Sequence, residues 1–342
     1  MKPNSSQMHA ASRNRVSKGF SLIELMVAIT LGLLLTAGLV QLFSSTKVTF
    51  NSNDALARVQ ENGRFALERL KRELREAGTL GFCAGQIPIT SHLNTGCSGG
   101  IDDFFNPDFA VVGWEYGGTG LAESFTLPAS LDPATASASD WDSEANSADL
   151  PTQLGGLVVP GSDVLVVRNL AVVDTFTADP LNLHDPDEDI SLTDDSGIET
   201  NTVVLITDCS SADLFQNTAG PTDDRLSSSG GSCASPGPGN SGIDWSTTYN
   251  DSMQTFTVQQ VAYYIGVNDA GETGLYRWNM SEGTANAVAE EIIEGAENFQ
   301  VLYGFSRAAP DGDGQHVNNW ITADEIPAGG WPQVIALRIG LS

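Results

Sequence analysis

Between Lys18 and Leu25 the chain reads Lys-Gly-Phe-Ser-Leu-Ile-Glu-Leu, and its chemistry concentrates in two groups. Gly19 is a small residue directly after a basic leader, and cleavage behind it would free an amine on Phe20. Glu24 is the only charged residue between Phe20 and Phe43. A carboxylate within a bilayer is costly unless it is paired, protonated or close to the interface. Two readings follow. Either Glu24 lies about one turn from the membrane edge and snorkels to it, or it pairs with the freed amine of Phe20 on a neighbouring subunit. The second arrangement neutralises both charges inside an apolar filament core.

The rest of the chain holds little that resembles catalysis. The four histidines are His9, His92, His184 and His316, and no nucleophile elbow, paired-histidine zinc motif or phosphate loop is present. No enzyme, catalytic residue, cofactor or metal site is expected. Asp185–Asp189 alternates carboxylates without the glycine of an EF-hand loop, and Asp311–Gly314 has no bidentate glutamate at the required distance. Both are expected to be solvated acidic loops. Cys83, Cys97, Cys209 and Cys233 form an even set that points to disulfides in an oxidising compartment. Three pairings are open, and the local one, Cys83–Cys97 with Cys209–Cys233, is the most economical.

Residues 1–18 carry Lys2, Arg13, Arg15 and Lys18 and no acidic residue, and a long apolar run follows. A helix rising about 1.5 Å per residue over that run is long enough to cross a hydrocarbon core of about 30 Å. The basic leader predicts a cytoplasmic N-terminus and an exported remainder. A secretory signal peptide would place its small residues after the apolar core, not before it. The formal net charge is −27, and residues 79–342 hold 37 of the 43 acidic residues with five arginines and no lysine. An exported part so acidic repels polyanions, which argues against direct nucleic-acid binding.

These groups need a helix to carry them. Leu56, Val59, Gly63, Ala66, Leu67, Leu70, Leu74 and Ala77 recur every three or four residues, so one helix is expected from about Phe20 to Ala77, with Gly78 and Gly81 as stop signals. Arg69–Glu73 and Glu68–Arg72 have i,i+4 spacing and read as a solvated face. Beyond Gly81 the signals turn to strand: Phe109–Trp114, Asp163–Arg168, Ala171–Phe176, Thr202–Thr207, Thr255–Val267, Gly274–Asn279, Phe299–Phe305 and Gln333–Leu341. Residues 115–160 and 217–250 read as long irregular loops, with Trp141 and Trp245 as surface aromatics. Periodicity leaves Ala287–Ala296 open between helix and strand.

The Gly19–Leu25 segment resembles the class III signal of type IV pilins and pseudopilins. Gln60–Leu67, Leu74–Gly78, Ser162–Arg168, Thr207–Cys209, Gly274–Arg277, Glu294–Asn298, Val301–Gly304 and Trp331 with Val334–Ile339 are similar to minor pilins of the PilW type. The resemblance implies an α+β, pilin-like fold, with a long N-terminal helix packed on an antiparallel β-rich head. It implies a prepilin leader at 1–19, a transmembrane or filament-core helix at 20–45, an amphipathic half at 46–80 and a periplasmic head at 81–342. It further implies cleavage after Gly19 by a prepilin peptidase, N-methylation of Phe20, and Glu24 as the assembly carboxylate. The expected partners are other minor and major pilins and the inner-membrane assembly platform. The expected location is the bacterial inner membrane, then a cell-surface pilus. A minor pseudopilin of a type II secretion system and a pilus-tip adhesin are the alternatives. A further strand after Leu341 would be expected of this family.

Overall fold

The computed structural model describes residues 20–78, 83, 87–94, 110–120, 123, 130–144, 148–151, 153–229, 239–242, 244–279, 289–307 and 314–342. The chain divides into two compact units, Met1–Glu61 and Asn62–Ser342. Helix α1, Leu22–Glu76, supplies the described structure of the first and opens the second. It ends where expected. Gly78 adopts φ +69°, its N–H donates to the Arg168 carbonyl at 3.2 Å, and a Cβ there would press on Ala110.

The strands, in chain order, are β1 (Ile89–Ser91), β2 (Val111–Tyr116), β3 (Trp141–Ser143), β4 (Ala148–Asp149), β5 (Val164–Val173), β6 (Ile190–Ser191), β7 (Val203–Thr207) and β8 (Ala212–Gln216). There follow β9 (Arg225–Leu226), β10 (Gln254–Val267), β11 (Thr273–Asn279), β12 (Glu290–Glu294), β13 (Phe299–Phe305), β14 (Asn319–Ile321) and β15 (Val334–Leu341). Together with α1 they make an α+β fold. The large sheet runs β1-β8-β7-β10-β5-β2-β3-β4, and a branch at β10 carries β11 and β12. Its axis is β10, long enough to pair with β5 along one edge and with β7 and then β11 along the other. A second sheet is ordered β14-β13-β15.

Alternation along β7 explains why there are two cores. Val203 and Leu205 point into the main one, shared with Ala66 and Leu70 of α1. Val204 and Ile206 point to the other face and join Phe215, Trp245, Tyr249 and Met253. A strand buried on both faces reads as a continuous apolar run.

Three expectations change here. Asp163–Arg168 and Ala171–Phe176 are not two strands, because β5 runs unbroken through Asn169 and Leu170 against Thr255–Tyr263. The 115–160 and 217–250 intervals contain 3₁₀ turns and short strands, and Leu154, Val158 and Val159 are buried. Trp141 and Trp245 are buried anchors instead of surface aromatics, donating from their indoles to the carbonyls of Ser162 (2.8 Å) and Glu188 (2.7 Å).

The disulfide also departs from the local pairing. Cys83 joins Cys209, 126 residues away, with Cα atoms 5.2 Å apart. The reason is register: β1 lies parallel to β8 with Ile89 opposite Ala212, which draws the chain before β1 beside the turn that holds Cys209. Cys97 and Cys233 lie outside the described residues.

The two sheets meet at Asp163. Its N–H donates to the Phe299 carbonyl (2.8 Å), and its carboxylate accepts from Val301 N–H (2.8 Å) on β13 and Tyr116 N–H (3.3 Å) on β2. Glu115 lies beside it, 3 % exposed, with Thr119 donating to it at 2.8 Å. Burial pushes Glu115 up to about 7. Burial, reinforced by Glu115, pushes Asp163 well above the ordinary carboxylate range.

Two predictions follow from these joints. Non-reducing peptide mapping will link the Cys83 and Cys209 peptides. The Cys209→Ser chain will melt roughly 10 °C lower, since closing so long a loop is worth about 5 kcal/mol in the chain-entropy model; a Cys83–Cys97 peptide would contradict the pairing. The acid pair sets a pH dependence. Its folded-state affinity for protons exceeds that of the unfolded chain, whose glutamates titrate near about 4.3. Its contribution is therefore complete below that pH and is lost as pH rises through about 7. Thermal melts should show stability falling across neutral pH, and Glu115→Gln should flatten the fall; parallel slopes in the two chains would assign it elsewhere.

Candidate functional site

Glu24 sits in the first turn of α1, with its N–H donating to the Ser21 carbonyl at 3.0 Å. Ser21-x-x-Glu24 has capping-box spacing, and an acidic residue at a helix N-terminus is favoured by the helix dipole. Phe20 is 82 % exposed, and Leu22, Ile23, Leu25, Met26 and Val27 are exposed in succession. A soluble surface helix buries one stripe, whereas this segment presents apolar side chains all round. Its threonines bond back to the helix itself. The hydroxyls of Thr30, Thr36, Thr46 and Thr49 donate to carbonyls one turn earlier, at 2.7–3.0 Å. By length and composition this helix can cross a membrane. Phe20 and Glu24 are thus one turn apart on an apolar surface. Gly19 lies outside the described residues.

The second cluster was not anticipated. Glu73 was expected on a solvated face, yet it is buried. Tyr263 on β10 donates to its Oε2 at 2.5 Å, and Arg277 on β11 donates to its Oε1 from Nε at 2.9 Å. Arg69, one turn earlier on α1, lies 3.9 Å from Glu73 and grips Glu290 on β12 with both terminal nitrogens, at 2.8 and 2.6 Å. Burial, followed by the adjoining Glu73 carboxylate, raises the Tyr263 phenol well above its ordinary value, so it stays a donor. The Arg69 hydrogen bond holds Glu290 below its usual range, and Glu290 raises Arg69 in turn. The signal was available in the spacing: Ala66, Leu70, Glu73 and Ala77 form one stripe, so Glu73 falls on the buried face. Glu290 also settles the open segment, since Glu290–Glu294 is a strand paired with β11.

Among the described residues no group of histidine, cysteine or acidic side chains is placed to hold a metal ion. Asp185 and Glu188 instead close a turn, with Asp185 N–H donating to Glu188, and Asp189 meets Arg225 at 3.6 Å. Asp311–Asp313 lie outside the described residues.

Two family models match the chain. Residues 14–40 match the prokaryotic N-terminal methylation motif, and residues 262–342 match type IV pilus-assembly protein W. Together the two matches support a type IV pilus minor pilin of the PilW type. No curated protein and no solved structure matches it. As a minor pilin it takes part in pilus assembly, and its family is structural in character. The first match spans Gly19, Phe20 and Glu24. The second begins within β10 and includes Arg277 and Glu290, so two of the strands that seat α1 fall inside it.

Removing Glu73 from this pilin takes away the carboxylate that accepts from both Tyr263 and Arg277. Glu73→Ala should lower the urea stability of the detergent-solubilised chain by about 3 kcal/mol, and Tyr263→Phe by about 1 kcal/mol. Equal small losses would mean that the cluster is solvated.

Proposed function

We propose that this pilin enters the filament as a processed subunit that helps to prime or cap the pulus-building complex of the inner membrane, with residues 1–19 as leader, 20–45 as filament core, 46–80 as the amphipathic half and 81–342 as a periplasmic head. A prepilin peptidase cuts after Gly19 and Phe20 is N-methylated. Glu24 then accepts the amine of a Phe20-type residue on the neighbouring pilin, while Leu22, Ile23, Leu25 and Val27 pack against its helix. The head passes from the periplasm to the cell surface as the filament grows. The observation that carries this reading is Glu24 as the one charge between Phe20 and Phe43, a stretch that exposes apolar side chains on every side. Two opposite charges brought together in an apolar filament relieve a cost that each alone would impose. The match to a pilus-assembly family favours the pilus over a type II secretion system.

In native cells the mature chain should begin at N-methylated Phe20 by intact mass. Glu24→Ala should be inserted and cut as usual yet reach the sheared pilus fraction at about a tenth of the normal level or less, as loss of a desolvated charge pair worth at least about 1.4 kcal/mol implies. Normal incorporation of that variant would remove the pairing role, and an uncut chain would remove the pilin reading itself.

A further inference from the structure

In the second unit, the end of α1 does not close onto β15. Between Leu67 and Leu74 on the helix and Ile335 and Leu337 on the strand lies an open apolar cleft of about 550 Å³, floored by Val111 of β2. Leu67 and Ile335 remain 46 % and 44 % exposed there. Strand β15 pairs with β13 from Phe299–Leu341 to Gly304–Ala336, a bulge at Ile335 precedes the Phe305–Val334 pair, and among the described residues no strand pairs with its other edge. Ala336–Leu341 therefore offers about 20 Å of regular open strand edge at about 3.3 Å per residue. Open edges are normally blunted by proline, a bulge or outward charge. Here the bulge is confined to Ile335 at the start of the strand, and the strand's one charge, Arg338, lies over the Trp320 ring at 4.5 Å.

We infer that this cleft receives an extended strand from another pilus subunit, which pairs with the outer edge of β15, sets alternate apolar side chains between Leu67 and Ile335, and carries acidic residues toward Lys71 and Arg75. The open edge selects an extended segment, because a helix has already used its own backbone donors and acceptors. The rim selects its charge. Lys71 and Arg75 are the charged residues that line the cleft, and both are basic and exposed, in a chain whose formal charge is −27. The inference rests on the pilus reading above, since a pilus subunit must supply the strand.

The test places a benzophenone photo-crosslinker at position 335 of the full chain in piliated cells and maps the adducts by mass spectrometry, with the processed N-terminus read from the same sample. The expected adduct is one short segment of a different pilus subunit, with Asp or Glu among alternating apolar residues. Combining Lys71→Glu with Arg75→Glu, both at exposed sites, should lower its yield roughly fivefold, the effect of two surface charge pairs. Adducts confined to phospholipid or to a second copy of this chain, no adduct, or a yield indifferent to the charge reversals would overturn the strand-docking proposal while a correctly cut N-terminus leaves the pilus reading standing. An uncut N-terminus would instead defeat the pilus reading and this inference with it.

Discussion

Burying a carboxylate costs several kcal/mol unless its oxygens are matched, so the seat of α1 on the head is set by the groups that meet Glu73. Tyr263, Arg277 and Arg69 approach it from β10, β11 and the helix itself, and Glu290 on β12 completes the row. Charges alternate along that row, Glu290–Arg69–Glu73–Arg277, so no ion faces the core alone. Because β10, β11 and β12 are adjacent in the sheet, the row also fixes where along three strands the helix lies. Turning the helix by one residue would carry Glu73 away from both β10 and β11 and strand Arg277. Such a network gains little over an apolar replacement but penalises every alternative packing, which suits an element whose orientation matters more than its binding strength.

The same helix meets the opposite demand in its first unit. From Leu22 to Val40 the side chains other than Glu24 are apolar, or are threonines whose hydroxyls donate to carbonyls of the preceding turn, so they have no hydrogen bond to lose on leaving water. Glu24 is the exception, and its place in the first turn keeps it within reach of the end of the apolar surface. Basic residues cluster in the leader and helix, acidic residues in the head. That division leaves Lys71 and Arg75 as cations on the rim of a cleft in a unit whose net charge is acidic.

Much of this was legible from residue types. The apolar run, the stop at Gly78, the β-rich head and most of its long strands are local properties, and local patterns report them. Phe299–Phe305 matched because its alternation and flanking turns agree. What failed was non-local. The Cys83–Cys209 bond depends on the parallel register of β1 with β8, which no spacing reveals. Strand β8 was missed because Asp213 interrupts its apolar pattern. That carboxylate is buried only because His92, Ser246 and Tyr249, from two distant segments, all bond to it. Burial and these donors act in opposite directions on Asp213, and the donors prevail, holding it below its usual range. Glu73 was misread for the opposite reason: i,i+4 charge spacing suggested solvent, while its position on the Ala66–Leu70–Ala77 stripe pointed inward.

The cleft beside β15 persists because the small sheet is held from one side. Asn298 and Gln300 donate to the Gly161 carbonyl at 2.7 and 3.0 Å, and Asp163 binds the backbone of Phe299 and Val301, so β13 is anchored at the 161–163 corner. Farther along, Tyr303 is fully buried and lies so close to β2 that any side chain at Gly113 would collide with its hydroxyl. These contacts set the spacing between β13 and the large sheet, and β15 follows β13 through their ladder. Neither tether reaches α1, which is positioned separately by Glu73 on β10 and β11. Two independent sets of contacts thus place the two walls of the cleft, and nothing in either set draws the walls together. A gap lined by Leu67, Leu74, Ile335 and Leu337 would close by simple collapse if its walls were free to move; it stays open because each wall has been fixed by polar contacts made elsewhere.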